Sequence, residues 1–222
     1  MQPKLPVWAG GEAVGRVLQT GEGVAHLKAG DRVLALLAAR GNWRPRAKAS
    51  AARLFALPEA DLDQLAMLGV NPPTAWLMLH DFVTLADGDW VVQNAGNSGV
   101  GQAVIQFAKR LGWRTVSVVR RAEQAAPLKA IGADAVVVDG ADLPARVAEA
   151  TGGTAPKLGI DAVGGEATRR MAKALAELAR RIRARAAELI EAQTADGSLV
   201  KLHAAFKEAL IHDLTPQGFA DT

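Results

Sequence analysis

The segment Ala95-Gly96-Asn97-Ser98-Gly99-Val100-Gly101 gathers small residues between an apolar run and a helix-like run. Gly96, Ser98 and Gly101 fill the three slots of a G-x-G-x-x-G fingerprint, with serine in the middle slot. Small side chains let a backbone turn sharply and approach phosphate oxygens. A helix that begins there offers free N–H groups and the positive end of its dipole. Asn97, Gly99 and Val100 complete the turn, which makes residues 96–101 a candidate cradle for the pyrophosphate of a dinucleotide. The plainer reading is a glycine turn that only joins a strand to a helix.

The next β-rich run ends Val118-Val119-Arg120-Arg121, and no acidic residue follows until Glu123. Folds selective for NAD place an acid near this point to hold the ribose 2′-hydroxyl, whereas arginine accommodates a 2′-phosphate. A guanidinium fork matches phosphate geometry bidentately. Arg120 and Arg121 therefore favour NADPH as the cofactor, against the alternative that both are solvated loop charges.

Such a site needs a strand before the turn, a helix after it and a second strand beside the first. Residues 90–95 read as that strand and residues 100–111 as that helix; Val100, Val104, Phe107, Ala108 and Leu111 recur with the helical period. Residues 115–119 read as the second strand, 122–131 as a helix, 135–138 as a strand, 141–150 as a helix and 158–163 as a further strand. Short, nearly all-apolar strands alternating with helices predict an α/β fold: a Rossmann-type parallel sheet with helices on both faces.

Upstream, residues 5–60 read as short strands and turns. A candidate strand at 12–18 is closed by Gly21-Glu22-Gly23, and a second turn at 27–31 leads into the apolar run 32–39. Glycine punctuation of this kind predicts part of a small β-barrel. Residues 61–68 look helical, and Thr74 is a candidate N-cap after the break Asn71-Pro72-Pro73. The expected division is a partial barrel domain at 1–66 and a dinucleotide-binding domain at 67–222. Its last part is atypical, with an alanine- and arginine-rich helical stretch at 166–193 and a strand at 198–202.

Composition narrows the chemistry. Among 222 residues there is no cysteine, which removes disulfides, thiolate zinc sites and a cysteine nucleophile. The four histidines lack helical metal-ligand spacing, so no metal is expected. The net charge of +3 suits a small anion as well as a polymer. No apolar stretch is long enough to span a bilayer and no basic-then-apolar segment opens the chain, so no membrane association and cytoplasmic residence are expected. Arg169, Arg170, Lys173, Arg180, Arg181, Arg183 and Arg185 are interleaved with Glu177, Glu188 and Glu191, without aromatics between the arginines. Mixed signs predict an amphipathic helix at 177–195 packed on the sheet or on a partner subunit, and no nucleic-acid partner.

These segments resemble the zinc-independent medium-chain dehydrogenase/reductases. Within them they look most like the 2-enoyl thioester (enoyl-CoA or enoyl-ACP) reductases, with quinone oxidoreductases as near relatives. The resemblance is carried by residues 10–15 (GGEAVG), 27–33 (LKAGDRV), 68–76 (LGVNPPTAW), 88–102 (GDWVVQNAGNSGVGQ) and 161–165 (DAVGG), and is collinear from about residue 5 to 176. It implies an incomplete GroES-like β-barrel portion at the N-terminus. It also implies reduction of the C=C bond of an enoyl thioester, or of a related enone or quinone, by NADPH. Asn71 and Thr74 would lie beside the nicotinamide as catalytic candidates, and Ala162, Val163 and Gly164 would line the cofactor where the fourth strand of the sheet ends. Two departures stand out. The family's proton-donor tyrosine has no counterpart, since the chain contains no tyrosine, and residues 177–195 intervene before the family's next two strands, which 197–201 and 213–219 resemble only loosely. The chain therefore reads as truncated at both flanks. The alternative to a reductase is a relative that binds NADPH with little or no catalysis. Open barrel edges predict a homo-oligomer.

Overall fold

A computed structural model describes residues 9–35 and 41–175. The expected helix beyond 175, the strand at 198–202 and the end of the run 32–39 fall outside the described residues.

The first unit is a three-stranded antiparallel sheet of β1 (Val14–Arg16), β2 (Arg32–Ala35) and β3 (Leu54–Ala56), in the order β1-β2-β3. Val14 faces Leu34 across the first pair, and Val33 faces Ala56 across the second. Val17, Leu27 and Val33 form its small core, with Val24, Ala51 and Leu54 packed against them. The turn entering β2 closes when Asp31 N–H donates to Lys28 O at 3.1 Å and Lys28 N–H to Asp31 Oδ2 at 2.8 Å. Gly30 sits there at φ +94°, a conformation that a Cβ would strain.

Two helices follow. α1 (Leu62–Ala66) is capped by Asp61, whose Oδ1 accepts the N–H of Gln64 at 3.0 Å. α2 (Asn71–His80) begins three residues before the expected cap. Pro72 and Pro73 lie inside its first turn rather than breaking the chain ahead of it. The first turn makes no intrahelical use of its N–H groups, so the donor that proline lacks is not missed there, and the fixed proline φ suits a helix start. Thr74 is thus a first-turn residue, and its Oγ1 donates to Val70 O at 2.7 Å.

The second unit runs β4 (Trp90–Gln93), α3 (Gly99–Arg110), β5 (Arg114–Val119), α4 (Ala125–Ala130), β6 (Ala135–Val138), α5 (Leu143–Ala150) and β7 (Leu158–Ile160), with helix again from residue 165 to 175. All strand pairs are parallel, in the order β6-β5-β4-β7. Strand alternation divides the core between two faces. Trp90, Val92, Val116 and Val118 meet Leu143 and Val147 of α5 and Met171 and Ala174 of the last described helix. On the other face Val91 meets Val104 of α3 and Ala75 and Leu79 of α2, while Val119 meets Ile105 and Leu128.

From β4 the chain moves outward through β5 to β6, then returns to place β7 on the opposite side of β4. The reversal opens a crevice beyond the carboxyl ends of β4 and β7, the place where open α/β sheets bind ligands.

Ile105 is fully buried between α3 and the sheet. Ile105→Ala is expected to cost about 2–5 kcal/mol of unfolding free energy, read from urea denaturation. A loss well under 1 kcal/mol, at about the size of a surface change, would contradict this placement.

A candidate dinucleotide site at the switch point

β4 delivers the chain to the crevice and the glycine turn carries it away into α3. Ala95 adopts φ +47° and Ser98 N–H donates to Ala95 O at 2.8 Å, which closes the turn. Ser98 is the N-cap of α3, its Oγ accepting the N–H of Gly101 at 3.0 Å. The serine in the middle fingerprint slot therefore serves the helix start. Gly96 and Gly101 are needed for a different reason. A Cβ on Gly96 would lie 2.7 Å from Ser117 Cβ of β5, and one on Gly101 2.7 Å from Gly96 O and 2.8 Å from Ala95 O.

Of the backbone donors in this turn, those of Gly96, Ser98 and Gly101 have partners inside the protein. Those of Asn97, Gly99 and Val100 have none among the described residues. Three free N–H groups at the head of a twelve-residue helix make an anion-binding surface. Asn71 reaches the same place from α2: a Cβ on Gly99 would stand 2.4 Å from Asn71 Nδ2. Thr74, by contrast, has its hydroxyl engaged with its own helix.

Two polar residues, the last of β4 and the one after it, brace the turn. Gln93 is 1% exposed, and its Nε2 donates to Gly101 O at 2.9 Å and to Ser117 Oγ at 3.1 Å. Asn94 is also buried; its Nδ2 donates to Asp161 Oδ1 and its Oδ1 accepts the N–H of Ala162 at 2.7 Å. Asp161, just past β7, accepts from Thr168 Oγ1 at 2.6 Å and from Gly164 N–H at 3.2 Å. The residues 162–164, expected to line the cofactor, are thus strapped to the strand that feeds the glycine turn. Sequence reasoning singled out neither Gln93, Asn94, Asp161 nor Thr168 as site residues. The usable signal was a Gln-Asn pair ending an otherwise apolar buried strand, because buried amides require partners.

The arginines at the end of β5 are both exposed. Arg121 Nε pairs with Glu123 Oε1 at 2.9 Å, whereas Arg120 has no partner among the described residues. The expected pair is therefore unequal in this state. Trp76 stacks on His80 with ring centroids 3.9 Å apart and meets Phe107 edge-on at 5.3 Å. Trp43 lies in the first unit beside Gly10 and is 69% exposed.

Comparison with known proteins places this geometry. Residues 1–59 match the alcohol dehydrogenase GroES-like domain, and residues 99–182 match the family described as zinc-binding dehydrogenase. The chain is 41% identical over 190 residues to the mitochondrial enoyl-[acyl-carrier-protein] reductase of Rattus norvegicus, covering 78% of this chain and 48% of that protein. The chain belongs to the medium-chain dehydrogenase/reductase family. Among solved members, the complex of Etr1p with NADP and crotonyl-CoA superposes with TM-score 0.69 at 30% identity, over 76% of this chain and 53% of that one. Escherichia coli quinone oxidoreductase complexed with NADPH gives TM-score 0.69 at 30% identity, over 79% of this chain and 54% of that one. The chain spans about half the length of the family members it matches.

One expectation meets these findings directly. Cytoplasmic residence is corrected: the rat relative is a mitochondrial enzyme by name, and the expectation had rested only on the first residues of the chain. The zinc in the family description also fails a donor test, since the chain has no cysteine and no group of three His, Cys, Asp or Glu among the described residues could hold a metal.

Two carboxylates near the crevice titrate low. Arg170 donates to Asp139 through Nε at 2.8 Å and Nη2 at 2.5 Å, and this pairing outweighs burial to hold the Asp139 carboxyl below its ordinary value of 3.8. Burial pushes Asp161 up, but hydrogen bonds from Thr168, Asn94, Gly164 and Val163 together bring it below 3.8. Both carboxyls are lower when folded than when unfolded. Their contribution is thus complete above the ordinary value and vanishes as pH falls through the folded values. Urea midpoints should hold from neutrality to about pH 5 and drop in stronger acid. Asp139→Asn should lower the neutral midpoint and flatten the acid limb; an unaltered limb would refute the linkage.

Proposed function

We propose that this chain is an NADPH-dependent oxidoreductase that reduces the C=C bond of an enoyl thioester, or of a related enone or quinone. One observation carries the reading: three unpaired N–H groups cap a helix at the sheet's switch point, one strand away from two exposed arginines. That arrangement has a place for a pyrophosphate and a place for a 2′-phosphate. The named complexes of Etr1p and of the quinone oxidoreductase support NADP as the nucleotide and crotonyl-CoA or a quinone as the substrate class.

In this reading Gly96, Asn97, Ser98, Gly99, Val100 and Gly101 form the pyrophosphate turn, with Asn97, Gly99 and Val100 donating from the backbone. Arg120 takes the 2′-phosphate first, and Arg121 joins it by leaving Glu123. Ala162, Val163 and Gly164 border the nicotinamide across the crevice. When bound, NADPH supplies the hydride that adds to the β-carbon of the substrate, with a proton added at the α-carbon. Asn71, already against Gly99, is the side chain best placed to orient the nucleotide near that end; Thr74 backs it from the same helix turn. Residues 1–66 act as the substrate-side portion and residues 67–222 as the nucleotide-binding portion. The lack of cysteine in the chain, and of a metal-donor set among the described residues, supports a zinc-independent reading.

Calorimetric titration should show NADPH binding more tightly than NADH. Arg120→Ala with Arg121→Ala should weaken NADPH by about ten-fold or more while leaving NADH nearly unchanged, from the loss of charge-assisted bonds to the phosphate. Equal losses would defeat the NADPH assignment.

Turnover is tested separately by following NADPH oxidation with crotonyl-CoA and with a quinone. Oxidation that depends on either substrate supports the reductase. Tight NADPH binding without it supports the second reading, a nucleotide-binding relative with little catalysis.

A further inference from the structure

Asn94 occupies a position that the proposed chemistry leaves unused. It follows directly on β4, it is 5% exposed, and the turn that would hold the pyrophosphate begins at the next residue. Its backbone N–H donates to Ile160 O at 3.1 Å, and both ends of its side-chain amide are committed across the crevice, to Asp161 and to the N–H of Ala162. Asp161 in turn accepts from the N–H groups of Val163 and Gly164 and from Thr168 of the following helix.

All three N–H groups of residues 162–164 therefore point inward, onto Asn94 or Asp161. The opposite holds at the glycine turn, where N–H groups face out. Asn94 is the only described side chain hydrogen-bonded to both Asp161 and the 162–164 backbone, so it fixes the spacing between the two halves of the crevice.

We propose that Asn94 is a positioning residue which, acting through Asp161, sets residues 162–164 at the nicotinamide end of the site. The inference rests on the NADPH reading above and deepens it. An amide is required at this point because it must donate to a carboxylate and accept from a backbone N–H at once, which aspartate and leucine cannot do. Charge-assisted bonds to Asp161 make the arrangement stiff, and stiffness at the hydride-bearing ring is what a transfer geometry needs.

The test compares two ligands on the full chain. NADPH reaches both halves of the crevice; adenosine 2′,5′-bisphosphate carries the 2′-phosphate and adenosine but no nicotinamide. Asn94→Asp is isosteric and sets a second carboxylate against Asp161. It should weaken NADPH by about 10- to 100-fold and move the bisphosphate by less than about two-fold, as expected for losing a charge-assisted bond at one end only. Exchanging the pair, Asn94→Asp with Asp161→Asn, again sets one donor against one acceptor and should recover most of the NADPH affinity. Should Asn94→Asp not fold, Asn94→Ser supports the same comparison. Parallel weakening of both ligands would show that the network serves only the fold and would overturn the proposal, as would unchanged NADPH affinity or a pair exchange that rescues nothing. Wild-type chain that binds the bisphosphate but gains nothing from the nicotinamide half would also overturn it, whereas wild-type chain that binds neither ligand refutes the NADPH reading itself.

Discussion

The site depends on two missing side chains. With hydrogen in place of Cβ, Gly96 lies against Ser117 of β5 and Gly101 against the carbonyls of Ala95 and Gly96. Each contact would fall below 3 Å with any other residue, and two of the three involve backbone oxygen that cannot rotate away. This close approach sets the angle at which α3 leaves the sheet. That angle in turn aims Val104 at one core cluster and Ile105 at another. It also points the free N–H groups of Asn97, Gly99 and Val100 at the crevice and away from the protein. Gln93 stabilises the same closure from below, satisfying a helix carbonyl and a strand hydroxyl with one buried amide.

The two loops that flank the crevice are electrostatic opposites. At the head of α3 the backbone offers unpaired N–H groups and a helix dipole, a surface for negative charge. After β7 the N–H groups are already taken by Asn94 and Asp161. The charge on Asp161 is therefore compensated locally, by four donors, and its field would not be spent repelling an anion held across the crevice. A free carboxylate so near a pyrophosphate would oppose binding. Hydrogen bonding makes the aspartate tolerable there, and it also lowers its pKa so that it stays ionised and keeps accepting.

Much of the second unit was legible because its strands are short and mostly apolar. Residues 135–138 were read with both ends in place, and β5 and α3 within one residue. Thr74 was misread because the proline pair looked like a break, whereas a helix admits proline in its first turn. The helix expected over 122–131 opens instead with a 3₁₀ turn at Ala122–Gln124 before α4. At the site, glycines and arginines were visible because their residue types carry the chemistry. The bracing residues were not, because Gln93, Asn94 and Asp161 act only through partners far along the chain, and Asn94 lies 67 residues from Asp161. Periodicity reports which face a residue occupies and carries no information about a contact at that separation.

Cofactor selectivity illustrates how little rearrangement the site would need. Arg121 and Glu123 form an ion pair in which both side chains are 69% exposed, and such pairs are worth about 0–1 kcal/mol. A charge-assisted bond from guanidinium to phosphate is worth about 1.5–3 kcal/mol, so a 2′-phosphate can draw Arg121 away from Glu123 at a net gain. A 2′-hydroxyl offers no such exchange, and Glu123 then keeps its partner. In the proposed reading the pair would thereby widen the difference between the two nucleotides: Arg120 would supply the standing attraction, and Arg121 would add to it only when a phosphate is there to compete. The backbone assists, since Arg121 N–H donates to Gln124 Oε1 at 3.2 Å and holds the loop while its side chain changes partners.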